Sequence, residues 1–242
     1  MTRRSALAIL TAAAVPAAAA SPVPAACRQL LRVTTPGWNA TTGTLTLWVR
    51  DAAGAAWRQD GKAMPVVLGR SGLRWGRGLH RSPRGAVAKR EGDGCSPAGL
   101  FMLDTAFGAM TAAKSGAARW PWLQMTPRHA GVDDPKSRHY NRVVDAAAVR
   151  KDWSSAEDMM PKSGVYRRGV IVRHNWDQRP AGGSCIFLHI WTGPRSTTSG
   201  CTAMSARDML RVVAWLDSAR QPLLAQLPAA EWPARSAAWG LP

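Results

Sequence analysis

The residues of this sequence best suited to covalent chemistry are a cysteine and a histidine that lie close together along the chain. His189 falls inside the apolar run 186–191, and Cys201 follows it by twelve residues in a Ser-Gly-Cys turn. A thiol becomes an effective nucleophile when an adjacent base takes its proton and nearby N–H dipoles stabilise the thiolate. The pattern therefore predicts a strand that carries a base and a following loop that carries a thiol nucleophile.

Each of these two residues also has a purely structural interpretation. A buried cysteine more often acts as a small hydrophobic side chain, and a single strand histidine is more often a core residue. A metal site is a further alternative, but the spacings of the four candidate ligands match no zinc-binding pair such as C-x-x-C (His174, His189, Cys185 and Cys201). We therefore predict a cysteine nucleophile that requires no cofactor and no metal.

The elements that would position these residues are mostly strands. β-prone runs bounded by glycine- and proline-containing turns predict strands at 29–34, 44–49, 64–68, 169–173 and 186–191. The stretch 69–78 predicts a long loop, because so many glycines weaken the interior of a regular element.

One helix is predicted directly after the cysteine. Ser205 followed by Asp208 resembles a capping box, and apolar residues then recur at helical spacing (Met209, Leu210, Val213 and Leu216). The helix is expected to end near Ala219, before Pro222. Cys201 would then lie just before a helix N-terminus, where N–H dipoles lower the pKa of a thiol.

The N-terminal residues have the order of charge, apolar run and small residues that is typical of a secretory signal. Arg3 and Arg4 precede an alanine-rich run that ends in three alanines before Ser21. We assign 1–20 to a cleaved signal, 27–222 to one domain and 223–242 to a Pro/Ala/Trp-rich tail that packs on the surface or frays. The protein is thus expected in the periplasm or cell envelope, as a monomer.

The sequence is strongly basic. Its formal charge of +17 becomes +15 without Arg3 and Arg4, and such a protein is attracted to polyanions. No long run of lysine and arginine, zinc-ligand spacing or RNP-like motif predicts nucleic-acid binding. We therefore expect anionic cell-envelope polymers as partners and no nucleic acid, with a simply solvated basic surface as the other interpretation.

Four cysteines would enter an oxidising compartment if the signal is functional. With Cys201 kept free as a nucleophile, at most one disulfide can form among Cys27, Cys95 and Cys185. The sequence leaves all three pairings open. We favour Cys95 with Cys185, because both flank conspicuous motifs.

Several motifs together resemble the L,D-transpeptidase (YkuD-type) catalytic domain family. A strand histidine followed by Ser199-Gly200-Cys201 is similar to the family signature. The stretch 92–101 resembles the G-D-G-x-[TS]-P-x-G-x-F motif of one branch of the family, and 140–145 and 169–175 also look like that branch. The likeness extends from about Gln29 to Pro222.

The resemblance implies a mostly β fold, a β-sandwich-like pair of packed mixed sheets, with a helix after the catalytic cysteine. It implies that Cys201 is the nucleophile, that His189 is its base and that the backbone carbonyl of Ile190 orients the imidazole. The N–H groups of Gly200 and Cys201 are the implied donors to the oxyanion. Ser199 is implied to hold the turn.

The resemblance also implies the substrate class. A thiolate would attack the peptide carbonyl of a peptidoglycan stem peptide, release D-alanine and leave an acyl-enzyme that an amine acceptor resolves. With water as acceptor, the same Cys/His site would be an L,D-carboxypeptidase or a peptidoglycan peptide hydrolase. A non-catalytic cell-envelope binding protein is the alternative from another class, although an intact Cys201 and His189 favour an enzyme.

Two departures from the family pattern concern substrate recognition. Many members have glycine after the histidine and arginine two residues after the cysteine, whereas this sequence has Ile190 and Ala203. The residue that recognises the substrate carboxylate is therefore unassigned among three arginines (Arg173, Arg195 and Arg207). His174 is a candidate for a supporting role or a surface residue at a strand end, and three other polar residues are interpreted as structural (Asp93, Tyr140 and Asn175).

Overall fold

The computed structural model describes residues 21–242, so the predicted secretory signal at 1–20 lies outside the described residues. Most of the regular structure is β. The strands are β1 (Gln29–Thr35), β2 (Thr42–Val49), β3 (Arg58–Gln59), β4 (Met64–Val67), β5 (Leu73–Trp75), β6 (Ser96–Gly108), β7 (Trp122–Gln124), β8 (His129–Val132), β9 (Arg142–Asp145), β10 (Ala156–Asp158), β11 (Gly169–Val172), β12 (Phe187–Ile190), β13 (Thr202–Met204) and β14 (Leu223–Pro228).

The helical segments are few and short. The helices are α1 (Ala112–Ser115), α2 (Ala206–Trp215) and α3 (Trp232–Trp239), and 3₁₀ turns occur at Ser218–Arg220 and Ala229–Glu231. Among the described residues, no helix has both the length and the apolar character that crossing a membrane requires.

Eight of the strands form a sheet that closes on itself. Their order is β1-β14-β6-β11-β12-β13-β4-β2, and β2 pairs back with β1. Closure pairs the N–H and C=O groups of strands that would otherwise be edges. The predicted mostly β fold is confirmed. The predicted arrangement of two packed sheets is wrong, because the strands form one continuous closed sheet: β1 pairs on both sides, and β13 joins β12 to β4.

The strands predicted from the sequence are confirmed as β1, β2, β4, β11 and β12, with ends shifted by one or two residues. The predicted loop 69–78 is wrong at its centre, where β5 pairs in parallel with β6. Leu73 and Trp75 are buried there while Arg74 between them is partly exposed. This alternation packs a short strand into the core in spite of the glycines on both sides.

The predicted start of helix α2 is confirmed. Ser205 Oγ accepts a hydrogen bond from the Asp208 N–H at 3.0 Å and donates one to the Asp208 carboxylate at 2.6 Å. The buried side of the helix packs against the main core (Met209, Val212 and Val213). The hydrogen bond to Ser205 Oγ satisfies one of the N–H groups that every helix leaves unpaired at its first turn.

The helix ends earlier than predicted, at Trp215 rather than near Ala219. The side chain of Gln29 in β1 forms hydrogen bonds with the backbone groups at this end of the helix. Its Nε2 donates to the Trp215 carbonyl at 2.7 Å, and its Oε1 accepts from the Asp217 N–H at 2.9 Å. A contact 186 residues apart in the sequence therefore sets the C-terminus of the helix.

The predicted tail 223–242 is part of the fold. Strand β14 lies between β1 and β6 and pairs with both, and all its residues are buried. Helix α3 then buries Trp232 and Trp239 in the main core. Residues 223–228 thus belong to the closed sheet and not to a tail, and the remaining residues pack through two tryptophans, which is the first of the two expected alternatives.

A second, three-stranded antiparallel sheet has the order β10-β8-β9. Glu157 of β10 lies opposite Gly131 of β8. Close to this sheet is a small apolar cluster that includes the candidate nucleophile (Phe107, Met125, Met159, Ile171, Cys185, Phe187 and Cys201). The second sheet thus adds residues from the middle of the chain to the region around Cys201.

Candidate active site

Cys201 and His189 come together because β12 and β13 pair in parallel. His189 lies opposite Ala203 in the register, and Cys201 directly precedes β13. Residues two apart along a strand share a face, so Cys201, Ala203 and His189 point to the same side. They line a cleft of about 560 Å³ together with side chains from four other segments (Arg70, Glu157, Val165, Tyr166, Trp191, Thr192 and 196–199).

The imidazole of His189 is held in one tautomer. Its Nδ1 lies 2.8 Å from the backbone oxygen of Ile190, and a carbonyl oxygen can only accept, so Nδ1 carries the proton and Nε2 keeps its lone pair. The Tyr166 ring packs edge-to-face on the imidazole, with centroids 5.2 Å apart. Burial lowers the pKa of His189 to about 4, so the imidazole is neutral near pH 7 and can act as a base.

The Cys201 thiol is buried, with 7% of the residue exposed. Its sulfur accepts from the Phe187 N–H at 3.2 Å and donates to the Cys185 carbonyl at 3.4 Å. Burial raises the pKa of the thiol well above its ordinary value and the Glu157 carboxylate raises it further, whereas the Phe187 N–H and Lys89 lower it. The predicted lowering of the pKa is wrong, because burial outweighs the dipoles and because β13 separates the cysteine from α2.

The resting site is therefore a neutral thiol beside a neutral imidazole. Within the part of the chain that the structure describes, no hydrogen bond joins the Cys201 sulfur to His189. The thiol hydrogen has to turn from the Cys185 carbonyl towards Nε2 before it can be transferred. Burial disfavours both charged forms, so the neutral pair is the favoured state of the site.

Thr198 fixes the turn in front of the nucleophile. Its Oγ1 accepts from the Gly200 N–H at 3.1 Å and donates to the Cys201 carbonyl at 2.6 Å. Ser199, which was expected to hold this turn, instead points outwards and accepts from Arg70 Nη1 at 3.2 Å. The turn-holding role thus belongs to the neighbouring hydroxyl.

The two predicted oxyanion donors differ in their availability. The Gly200 N–H is committed to Thr198, whereas the Cys201 N–H has no acceptor among the described residues. Gly200 has a φ of 156°, and a Cβ at this position would lie 3.0 Å from the Cys95 carbonyl oxygen. Glycine is required there because the turn passes so close to a second backbone segment.

A buried ion pair that was not identified from the sequence lies behind Gly200. Lys89 Nζ is 2.7 Å from Asp93 Oδ1, and the lysine side chain is only 3% exposed. The Asp93 carboxylate also accepts two backbone N–H bonds from its own turn. A Cβ on Gly200 would be 3.5 Å from Lys89 Nζ, so the Gly-Asp-Gly turn places a positive charge directly behind the nucleophile loop.

The structure distinguishes between the arginines proposed to recognise a substrate carboxylate. Arg173 pairs with Asp104 at 3.0 Å and does not line the cleft. Arg207 is exposed on α2, and Arg195 lines an adjoining cavity on the loop after β12. The arginine that lines the cleft is Arg70, which the sequence placed in a loop with no partner.

His174 is a structural residue. It is fully buried, its Nδ1 accepts from the Arg77 N–H at 3.1 Å, and its Nε2 bonds the Gly182 carbonyl at 3.0 Å. It does not line the cleft, and the alternative expectation of a surface position is wrong. Asn175 and Tyr140, interpreted as structural, are buried in hydrogen-bond networks.

The favoured disulfide is not formed. All four cysteines are free and buried. Cys95 Sγ lies 3.3 Å from the Ser71 carbonyl, and Cys185 Sγ lies 3.6 Å from the Val132 carbonyl. Each thiol therefore contacts a backbone oxygen of a different segment.

Glu157 and Tyr166 are cleft residues from outside the predicted motifs. The Tyr166 hydroxyl donates to Glu157 Oε2 at 2.6 Å, and the Tyr166 ring packs against both His189 and Phe187. Neither residue carries a local sequence signal. They join the site only because β10 and the segment before β11 reach the same face of the closed sheet.

We predict that iodoacetamide alkylates Cys201 slowly near pH 7 and faster as the pH rises through about 9. The thiolate is the reactive form, and a raised pKa leaves little of it at neutral pH. The rate is measured by mass spectrometry of the peptide that contains Cys201, with Cys201→Ser as the control for the other thiols. A rate that is already maximal near pH 6 would contradict the neutral thiol.

A protein-family model matches most of this chain. The family model described as YkuD, L,D-transpeptidase catalytic domain, matches residues 39–223. A search of curated proteins gave no match. Among solved structures, the helical cell shape determining protein Pgp2 from Campylobacter jejuni is similar, with 12% sequence identity and a TM-score of 0.40, over 83% of this chain and 48% of that chain. The chain thus spans about half the length of that protein.

The matched region includes the cleft, the histidine strand and the cysteine turn. It covers well over half of the sequence and runs from before β2 to the first residue of β14. This chain belongs to the L,D-transpeptidase catalytic domain family.

Proposed function

We propose that this protein is an exported cysteine acyltransferase that acts on peptidoglycan stem peptides. The observation that carries the proposal is the 2.8 Å bond from His189 Nδ1 to the Ile190 carbonyl, which leaves Nε2 as a base in the cleft that Cys201 also lines. Family membership supports the substrate class. A binding protein has no need of a thiol beside an oriented base, so the pair favours catalysis.

In the first step, His189 Nε2 takes the proton of Cys201 as the sulfur attacks the carbonyl that links the stem tripeptide to D-alanine. A C–S bond forms and negative charge develops on the carbonyl oxygen. The Cys201 N–H is the available donor to this oxyanion. His189 then returns the proton to the leaving amine, D-alanine departs, and a thioester remains on Cys201.

In the second step, an amine from a neighbouring stem peptide attacks the thioester and regenerates the thiol. Water in place of the amine would make the same protein a carboxypeptidase or hydrolase. Arg70, fixed by its bond to Ser199, is the cleft residue suited to a substrate carboxylate, because guanidinium matches carboxylate geometry.

The proposal places the protein outside the cytoplasm, where peptidoglycan lies. Its support is the signal-like sequence at 1–20 and the net charge of +17. A positive surface concentrates a protein near anionic cell-envelope polymers and speeds its encounters with them.

The proposal is tested by intact-mass spectrometry of residues 21–242 incubated with purified disaccharide-tetrapeptide. The expected result is a mass increase that corresponds to a tripeptide acyl-enzyme, or turnover to tripeptide or cross-linked dimer. The product also identifies the reaction, since a dimer requires an amine acceptor and free tripeptide requires water.

Cys201→Ala is the matched control and is expected to show neither adduct nor product. A folded, reduced wild-type protein that gives no adduct and no product, yet sediments with cell-wall sacculi, would contradict the enzyme and favour the binding protein.

The turn geometry gives a second prediction. Thr198→Val keeps the side-chain shape but removes the hydroxyl that bridges Gly200 and Cys201. It is expected to lower kcat/KM for D-alanine release by about tenfold or more, because two hydrogen bonds of the turn are lost. Ser199→Ala is the neighbouring control, with an expected loss below about threefold. A larger loss in Ser199→Ala than in Thr198→Val would contradict the assignment of the turn to Thr198.

A further inference from the structure

The cleft contains one basic and one acidic side chain, which come from different segments of the chain. Among the described residues that line it, Arg70 is the only lysine or arginine and Glu157 the only acidic residue. Arg70 is bonded to Ser199 on the nucleophile loop. Glu157 is bonded to Tyr166, whose ring packs on His189. A substrate that enters this cleft therefore meets both a cationic group and an acidic group.

Glu157 has no cationic partner among the described residues. One of its carboxylate oxygens, Oε2, accepts from the Tyr166 hydroxyl at 2.6 Å, and within residues 21–242 the other oxygen has no hydrogen-bond donor. Burial, with smaller contributions from the nearby carboxylates of Asp133 and Glu91, raises the pKa of the Glu157 carboxyl to about 7, although the hydrogen bond from Tyr166 lowers it. Partly buried carboxylates are usually paired, so the missing partner points to a cation that arrives from outside.

The position of Glu157 is unfavourable for the first chemical step. Its charge raises the pKa of the Cys201 thiol, which makes formation of the sulfur nucleophile harder. The disadvantage disappears once the sulfur is acylated, because no thiol proton then has to be removed. A negative group at this place is useful in the second step, when the incoming amine arrives as an ammonium ion.

We propose that Glu157 selects the acceptor by binding its ammonium group, an inference that rests on the proposed function. The ammonium gives one proton to the Glu157 carboxylate and the second to His189 Nε2 as its nitrogen attacks the thioester carbon. The C–N bond forms, the C–S bond breaks, and His189 returns its proton to the Cys201 sulfur. Glu157 releases its proton to solvent. The acceptor class is thus a primary amine that is cationic in solution, in preference to water.

The test compares wild-type protein with Glu157→Gln, which keeps an oxygen to accept the Tyr166 hydroxyl but removes the charge. The acyl-enzyme is formed from disaccharide-tetrapeptide and resolved with methylamine, an ammonium ion near neutral pH, or with hydroxylamine, which is uncharged there. E157Q is expected to form the acyl-enzyme at least as fast as the wild type, because the charge that raises the pKa of Cys201 is gone. It is expected to lose about tenfold or more in resolution by methylamine, the scale of a lost charge pair. Resolution by hydroxylamine and by water is expected to stay within about twofold.

Asp158→Asn is the matched control, because it removes a charge from the next residue of β10, which is exposed. It is expected to behave as wild type with both amines. Should E157Q fail to fold, the wild-type KM for methylammonium gives the same information. It is expected to rise as the pH falls below about 7, where the Glu157 carboxyl becomes protonated and no longer attracts a cation.

The outcomes separate this inference from the proposed function. Absence of an acyl-enzyme in the wild-type protein would overturn the proposed function and the inference with it. A wild-type acyl-enzyme with equal losses for methylamine and hydroxylamine in E157Q, or with no loss for either, would overturn the inference alone. So would a loss confined to acylation, which would show that Glu157 acts only by positioning His189 through Tyr166.

Discussion

The interaction on which the candidate site depends is the hydrogen bond from His189 Nδ1 to the carbonyl oxygen of its own neighbour, Ile190. This bond leaves Nε2 as the nitrogen that faces the cleft with a lone pair. Its acceptor is a backbone carbonyl whose position β12 already fixes. No carboxylate is needed to orient the imidazole, and burial lowers its pKa, so the base is neutral near pH 7. The closed sheet then places β13, and with it Cys201, on the same face.

Burial is the second constraint, and it acts on both partners in opposite directions. It raises the pKa of the Cys201 thiol and lowers that of the His189 imidazole, so the ion pair that activates many cysteine enzymes is disfavoured at rest. Lys89 behind the nucleophile loop favours negative charge on the sulfur, and Glu157 opposes it. The surroundings of Cys201 and His189 therefore favour the neutral pair at rest.

Local patterns predicted much of this structure and long-range contacts explain the failures. The strand around His189, the turn before Cys201 and the capped start of α2 all follow from adjacent residues. The end of α2 depends on Gln29, far away in the chain, and the tail is held by buried Trp232 and Trp239. Closure of the sheet requires pairing between distant strands, such as β1 with β14. Long-range pairing, such as that of β10 with β8, also brings three side chains into the cleft (Glu157, Tyr166 and Arg70). No local periodicity of the sequence encodes such pairings.

In the candidate site, His189 is a neutral base whose Nδ1 carries the proton. The protonation of both ring nitrogens can be measured by ¹⁵N nuclear magnetic resonance of histidine-labelled protein, with His189→Gln to assign the signal. We expect a protonated Nδ1 and an unprotonated Nε2 from about pH 8 down to about pH 5, with titration near 4 because burial disfavours the imidazolium. A protonated Nε2, or titration near the ordinary value of about 6.5, would contradict this assignment.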